Sequence, residues 1–204
     1  MKDSYIGQAW LVLTLAVCFG AALAGVQVAW GPRIERNKEN DARGQIPLLV
    51  PGAAAELTPQ PIDLSVEQAG ATRTYRLYRA MAKDSAGRIE QKGWVVKAKG
   101  PGYADTIELL IGLDLPAERI TGLYVLAQNE TPGLGNAIRD AEFRDRFRNK
   151  AADKDLAAVK GKPAAPNQIE AITGATVSSQ SVCGIVNQAV ADFRAKRGDL
   201  AGRE

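Results

Sequence analysis

The most constraining feature of this sequence is a long uncharged segment close to its N-terminus. No residue between Asp3 and Arg33 is charged, and Ala9 to Trp30 is almost continuously apolar. As a helix rising about 1.5 Å per residue, these positions span roughly 33 Å, close to the thickness of about 30 Å of a bilayer hydrocarbon core. The segment therefore predicts a single transmembrane helix, with Trp10 and Trp30 near its ends, where amphipathic rings favour the interface.

A cleaved signal sequence is the main alternative for this segment. Ala22-Leu23-Ala24 resembles a cleavage site, but the apolar stretch continues past it, whereas signal peptides have a shorter apolar region. A lipoprotein signal would use Cys18, although Val17 before it is larger than the residue such sites normally require. We therefore expect an uncleaved membrane anchor.

The basic residues that flank the segment bear on its orientation. Arg33, Arg36, Lys38 and Arg43 follow the span, and only Lys2 and the terminal amine precede it. Taken alone, this distribution predicts a cytoplasmic location for the rest of the chain, because cytoplasmic flanks are enriched in Lys and Arg.

The composition excludes several kinds of chemistry. Histidine is absent, so the chain forms no Ser-His or Cys-His nucleophile pair, no His-ligated metal site and no His-ligated haem. Cys18 and Cys183 are too few for an iron–sulfur cluster, which usually takes four thiolates, and we predict no metal site. The net charge of +3 gives no support for a nucleic-acid partner. If the protein moves electrons, an organic cofactor must carry them.

The sequence divides into three predicted parts. Residues 1–32 form a cytoplasmic tip and the transmembrane helix, and residues 33–64 form a polar helical extension followed by a linker rich in Pro and Gly. Residues 65–204 form a folded domain. This division predicts one globular domain on a single anchor.

The folded domain reads as strands followed by helices. Alternating or β-branched segments predict strands over residues 73–79, 93–99, 107–114 and 120–127. Residues 136–150 predict a surface helix with one apolar edge, and residues 177–196 predict a helix with a core-facing stripe that ends at Gly198. The order of these elements indicates an α+β fold with an antiparallel sheet.

The segment before the last helix, Thr173-Gly174-Ala175-Thr176-Val177-Ser178, carries the most distinctive local pattern. Gly174 allows a bulky group to approach the backbone, and Thr173, Thr176 and Ser178 offer hydroxyl groups. The N-terminus of the following helix adds unpaired N–H groups and partial positive charge, which suit a phosphate. The structural alternative is that Thr173 or Thr176 only caps the helix, and on the residues alone this is the commoner role.

This pattern resembles the flavinylation motif of FMN-binding domains, (Ser/Thr)-Gly-Ala-Thr-x-(Ser/Thr). In that family a flavin transferase, with FAD as donor, joins FMN through a phosphoester bond to the threonine that closes Gly-Ala-Thr. The resemblance implies that Thr176 is the attachment residue. It also implies that the phosphate end of FMN is surrounded by Thr173, Gly174, Ala175 and Ser178.

A second block, Glu130-Thr131-Pro132-Gly133-Leu134-Gly135, narrows the resemblance. It is similar to a segment found in the G subunit of the Rnf complex and in the C subunit of the sodium-translocating NADH:quinone reductase. The resemblance implies that Glu130, Thr131, Gly133 and Leu134 shape the cofactor pocket. The short chain resembles the Rnf G subunit more than the longer C subunit.

The resemblance also implies a location and partners. In that family the complex moves electrons between ferredoxin and NAD, coupled to ion translocation. Its G subunit holds an FMN domain outside the cytoplasmic membrane on a single helix. We therefore expect an electron-transfer subunit of the inner membrane that works with other subunits and matures through a flavin transferase. No residue is expected to act as a catalytic acid, base or nucleophile.

Two alternative functions remain open on the sequence. The first is a structural or assembly subunit without flavin. It is left open because Glu170 stands where the motif usually has Asp, and because the histidine that often precedes the second block is absent. The second is an FMN module of another membrane redox system.

Overall fold

The structure, a computed structural model, describes residues 5–68 and 71–200. The predicted cytoplasmic tip, with Lys2, lies outside these residues. The chain divides into two compact units, Met1–Asp41 and Ala42–Glu204. This division does not coincide with the predicted boundaries after residues 32 and 64, and the second unit includes much of the predicted linker.

The described part of the first unit, residues 5–41, belongs to one long helix. Helix α1 covers Tyr5–Gly44, so its 40 residues extend over about 60 Å. The helix continues through Pro32 into the polar extension that the sequence predicts. The side chains of Trp10 and Trp30 and the apolar residues between them are exposed. The helix is long and apolar enough to cross a membrane, and so large an exposed apolar surface is unfavourable in water.

The second unit is built on a six-stranded antiparallel sheet whose strands follow one another in chain order. The strands are β1 (Ile62–Gln68), β2 (Ala71–Lys83), β3 (Ile89–Pro101), β4 (Thr106–Asp114), β5 (Arg119–Ala127) and β6 (Lys150–Ala151). The predicted antiparallel sheet is confirmed. The four central strands match the predicted segments, whereas β1 and β6 were not predicted. Two further strands, β7 (Ala157–Val159) and β8 (Gln168–Glu170), form a separate parallel pair.

One face of the sheet packs against the last helix, α4 (Thr176–Leu200). Tyr75 and Leu77 of β2 point to this face, and Trp94 of β3 contacts Phe193 of α4 with 5.4 Å between ring centroids. The predicted stripe of α4 is buried here and consists of Val182, Ile185, Val186, Ala189, Val190 and Phe193. The helix passes Gly198, so the predicted end at that glycine is wrong.

The other face of the sheet is covered by the segment that follows α1. Helix α2 (Ile46–Leu49) packs on this face in a cluster that includes Tyr78, Val95 and Leu110. A Cβ atom at Gly112 would lie 2.6 Å from the Leu49 carbonyl oxygen, so only glycine permits this approach. Residues 44–57 thus form part of the domain core. The segment contains proline and glycine residues, as a linker does, but its apolar residues pack on the sheet.

The predicted surface helix over residues 136–150 is interrupted. A 3₁₀ turn covers Gly135–Arg139, and α3 covers only Ala141–Asp145. Asp140 separates them in an extended conformation. The three apolar residues of this segment, Ile138, Phe143 and Phe147, are all buried. Their spacing of five and four residues does not follow one face of a continuous helix, so a break is needed to bury all three.

Candidate functional site

Glu130 links three segments at the end of the sheet nearest the start of α4. Its side chain is only 4 % exposed. One carboxylate oxygen accepts hydrogen bonds from the backbone N–H groups of Tyr103 (2.9 Å) and Ala104 (3.1 Å). The other oxygen accepts a hydrogen bond of 2.5 Å from Ser178 Oγ. The carboxylate therefore joins the β3–β4 turn, the loop after β5 and the first turn of α4.

The pKa of Glu130 reflects two opposing causes. Burial raises the pKa of this carboxyl, because a charged group is disfavoured away from water. Hydrogen bonds from Ser178 and from backbone N–H groups of the β3–β4 turn lower the pKa by more, so that it lies below its usual value. Glu130 is therefore a carboxylate at neutral pH, and it accepts these hydrogen bonds in its charged form.

The β3–β4 turn is also fixed from a second side. Asp105 accepts hydrogen bonds from the Thr106 backbone N–H (2.6 Å) and from Asn129 Nδ2 (2.7 Å). Asn129, in the loop after β5, thereby holds the turn. The turn leaves the side chain of Tyr103 exposed beside the start of α4.

The segment before α4 forms a tight turn that begins the helix. The Ala175 backbone N–H donates to the Ile172 carbonyl at 2.9 Å, and Gly174 has φ +83° at the third position of this turn. A positive φ at this position is typical of a type II turn and favours glycine. Ser179 completes the arrangement, because its hydroxyl accepts from the Ile172 N–H and donates to the Ala175 carbonyl. As a result Thr176 is the first residue of α4.

These segments surround a cavity of about 710 Å³. Of the residues that the sequence assigns to cofactor binding, seven line it: Thr131, Leu134, Thr173, Gly174, Ala175, Thr176 and Ser178. Glu130 and Gly133 do not line the cavity. Glu130 instead holds its walls in place, so that a direct contact of either residue with a cofactor stays a prediction.

The structure adds residues that the sequence did not assign to the site. Tyr103, Lys160, Gly161 and Val177 also line the cavity. Lys160 follows β7, a strand too short to produce a periodic signal, so no local pattern points to it. Tyr103 lies in the β3–β4 turn and is 67 % exposed. Its place in a glycine-rich turn is the one sequence signal that favours exposure.

The remaining candidates for redox or metal chemistry lie elsewhere. Cys183 is buried in the core, and burial raises the pKa of its thiol to about 12. Cys18 is exposed on α1, and both cysteines are free. No group of three or more Cys, Asp or Glu residues in the described part of the chain is arranged to hold a metal ion.

The cavity is suited to an anionic group. At the N-terminus of α4, backbone N–H groups of the first turn lack helical partners and carry partial positive charge. The hydroxyl of Thr176 forms no hydrogen bond with any described residue. Of the described residues that line the cavity, Lys160 is the one with a formally charged side chain. The described site therefore combines a free hydroxyl, a helix N-terminus and a cation, which together suit a phosphate ester.

Comparisons with known proteins agree with this geometry. A family profile described as FMN-binding domain matches residues 102–191. The G subunit of the Na⁺-translocating ferredoxin:NAD⁺ oxidoreductase complex of Acetobacterium woodii is 30% identical over 189 residues, which cover 91% of this chain and 88% of that protein. The G subunit of the proton-translocating ferredoxin:NAD⁺ oxidoreductase complex of Clostridium ljungdahlii is 43% identical over 98 residues, which cover 48% of this chain and 51% of that protein.

Solved structures show the same fold. The C subunit of the Na⁺-translocating NADH-quinone reductase from Parabacteroides distasonis superimposes with a TM-score of 0.59 and 23% identity, over 78% of this chain and 92% of that chain. NqrC of Shewanella oneidensis gives a TM-score of 0.55 and 21% identity, over 68% of this chain and 69% of that chain. The match over nearly the full length of the Acetobacterium protein shows that this chain belongs to the Rnf family of G subunits.

Proposed function

We propose that this chain is a membrane-anchored electron carrier that holds one FMN through a phosphoester bond to Thr176 Oγ1. We propose further that it works with other subunits of a complex that transfers electrons between ferredoxin and NAD⁺ and translocates ions, as the names of its relatives describe. The observation that carries the proposal is the position of Thr176, which is the first residue of α4 and lines the cavity.

The residues of the cavity fit FMN. Its volume of about 710 Å³ lies within the range of roughly 300–1,000 Å³ that is usual for small-molecule sites. The N-terminus of α4 suits the phosphate, and Tyr103, Leu134 and Val177 provide exposed apolar surface for an aromatic ring. Gly174 brings the backbone close to Leu134, since a Cβ atom at residue 174 would lie 2.9 Å from Leu134 Cδ2.

The chain itself positions the cofactor and performs no acid–base chemistry in this proposal. FMN supplies the redox chemistry when it is bound, and the protein tunes it through neighbouring groups. Thr176 is the attachment point. Glu130 is a positioning residue, because it holds the start of α4 against the loops that form the cavity walls.

Attachment requires a flavin transferase in this proposal. The Thr176 hydroxyl gives up its proton and forms the new P–O bond with the FMN half of FAD, and the pyrophosphate bond breaks to release AMP. Glu170, whose backbone is fixed in β8, stands where the transferase motif usually has Asp and keeps its charge on a longer arm. We place the domain outside the cytoplasmic membrane, because the resemblance implies that this family is flavinylated there. This placement disagrees with the basic residues after the span, which taken alone predict a cytoplasmic domain.

Intact mass of the denatured chain, purified from its native host, tests this proposal. The wild-type chain is expected to carry the mass of one FMN less one water, and Thr176→Ala is expected to lose it completely. Thr131→Ala is the matched control, since it removes a threonine hydroxyl from the same cavity and should keep the added mass. Flavin fluorescence of the denatured band in a gel gives a second readout.

The outcomes separate the alternatives. An added mass that persists in Thr176→Ala would move the attachment to another residue. A wild-type chain without added mass would overturn the carrier function and favour an assembly subunit that keeps the fold. Covalent FMN at Thr176 without ferredoxin- or NADH-binding subunits after gentle purification would instead favour an FMN module of another membrane redox system.

A further inference from the structure

Lys160 is held in the cavity wall by the parallel strands β7 and β8. It follows Val159, which pairs with Glu170 and whose carbonyl accepts a hydrogen bond of 2.8 Å from the Ala171 N–H. The segment leading into β7 is fastened to α4 by Asn187, whose amide accepts from the Leu156 N–H (2.8 Å) and donates to the Leu156 carbonyl (2.9 Å). The backbone at Lys160 therefore has a defined place beside the Thr176 turn.

The side chain of Lys160 is free to act inside the cavity. Other cations of this region fasten loops, since Lys150 Nζ donates to two carbonyls and Arg146 donates to the Glu170 carbonyl and to Glu142. Lys160 is exposed and forms no hydrogen bond or ion pair with any described residue. Among the described lining residues it alone carries a formal charge, and no acidic side chain lines the cavity with it.

From this arrangement we infer that Lys160 is the cation that compensates the negative charge gained by the flavin on reduction, and that it thereby raises the midpoint potential. The inference rests on the proposed function. Reduction of bound FMN would consume two electrons, supplied by ferredoxin in the proposed function, and one proton from solvent, so the flavin would gain one negative charge. The charge of the phosphoester is the same in both states. A cation in the same cavity is therefore attracted more strongly to the reduced form.

A role in holding only the phosphate makes a different prediction. A phosphate contact stabilises both redox states equally, so its loss lowers the yield of flavinylated protein without changing the potential. A contact with the charge that appears on reduction changes the potential, and it does so less at high salt, because ions screen exposed charges. The two roles are separable by measuring covalent flavin content and potential on the same sample.

Redox titration of the full-length flavinylated protein in detergent tests the inference. Lys160→Gln is expected to shift the two-electron equilibrium with a reference dye about tenfold toward oxidised flavin, equivalent to a potential lower by about 30 mV. Lys160→Arg should keep the wild-type potential. Lys162→Gln is the matched control. Lys162 is two residues after Lys160, is also exposed and does not line the cavity, so the substitution removes the same charge outside the site.

Each outcome decides the inference. A shift in Lys160→Gln that clearly exceeds the shift in Lys162→Gln, and that shrinks at high salt, supports it. Equal potentials in fully flavinylated Lys160→Gln and Lys162→Gln would overturn it and leave the proposed function standing. A wild-type chain without covalent FMN in the mass measurement would overturn the proposed function and this inference together, so the two failures are distinguishable.

Discussion

Residues 130–135 and residues 173–178 lie beside one cavity and use their polar groups in opposite ways. In the 173–178 segment, the Thr173 and Thr176 side chains line the cavity and form no hydrogen bond with other described residues. In the 130–135 segment, the Glu130 carboxylate is buried and accepts hydrogen bonds from three donors. The first segment presents its polar groups to the cavity, and the second holds the first in position.

The two segments show that residues of a single motif can have different physical roles. Ser178 shows this within the 173–178 segment, because it lines the cavity while its hydroxyl donates to Glu130. It therefore couples the two segments. Leu134 does the same in the other direction, since it belongs to the 130–135 segment and its Cδ2 lies 2.9 Å from the position that a Cβ atom of residue 174 would take. Substitutions in the two segments should accordingly separate stability from flavin attachment.

Of the substitutions that test this comparison, Glu130→Ala is expected to lower the free energy of unfolding most. It removes the acceptor of a buried hydroxyl and of two backbone N–H groups, so we expect the free energy of unfolding to fall by about 3 kcal/mol. Glu130→Gln keeps the shape of the side chain and one acceptor, and it should cost about 1 kcal/mol. Urea titration of the full chain in detergent, followed by near-ultraviolet circular dichroism, measures both.

Thr173→Ala is the control for the Glu130 variants. Its side chain is exposed to the cavity and forms no hydrogen bond with other described residues, so the free energy of unfolding should change by less than about 0.5 kcal/mol. If Glu130→Ala were no less stable than Thr173→Ala, the division of roles between the two segments would be wrong.

A smaller effect is expected at two glycines, one in each segment. Gly133 and Gly174 have φ +77° and +83°, so alanine at either position costs about 1 kcal/mol of strain. Only at Gly174 would the new Cβ meet another side chain, Leu134 Cδ2 at 2.9 Å, whereas nothing lies within 4 Å at Gly133. The flexible end of Leu134 can move away at little cost in stability, but this movement changes the cavity wall.

Gly133→Ala and Gly174→Ala should therefore be equally stable and differ in flavin content. We expect a reduced fraction of covalently loaded chain only for Gly174→Ala, measured by intact mass after expression with the flavin transferase. Equal loading of the two variants would show that the close approach of residue 174 to Leu134 has no part in cofactor binding.

The parts of the fold that the sequence predicts are those with a periodic signal. The four central strands alternate, or have β-branched residues on both faces, and α4 has its stripe over residues 182–193. The second face of the sheet was not predicted. In the sequence, Ile46 and Leu49 are apolar residues within a segment that reads as a linker. In the structure, the strand register places Gly112 opposite Gly122, and the absence of side chains there leaves space for Leu49.

The candidate site divides in the same way. The Thr176 segment is visible in the sequence because its residues act locally, at one turn and one helix N-terminus. Glu130 was predicted to shape the pocket from the family resemblance of its segment alone. Its inward role depends on donors 27 and 48 residues away, Tyr103 and Ser178. The position of Lys160 beside the cavity depends on the pairing of β7 with β8, which no local sequence pattern predicts.

The smallest effect concerns the pH dependence of the buried carboxylate. Burial raises the pKa of Glu130 and hydrogen bonds lower it by more, so the net lowering is the remainder of two opposing effects. Because the pKa in the folded state is below the unfolded value of about 4.3, Glu130 contributes stability above that pH. This contribution is lost as the pH falls through the folded pKa.

The difference in the free energy of unfolding between wild type and Glu130→Gln isolates this contribution. Asp84, whose pKa is lowered by hydrogen bonds from Arg88, lies outside the Glu130 network, so its contribution is the same in both proteins and cancels. The difference should be constant from pH 8 to about pH 5 and decrease below about pH 4.3. A difference that grows on acidification would mean that burial outweighs the hydrogen bonds. Glu130 would then be a strained, protonation-prone residue, and the 130–135 segment would no longer be the rigid half of the site.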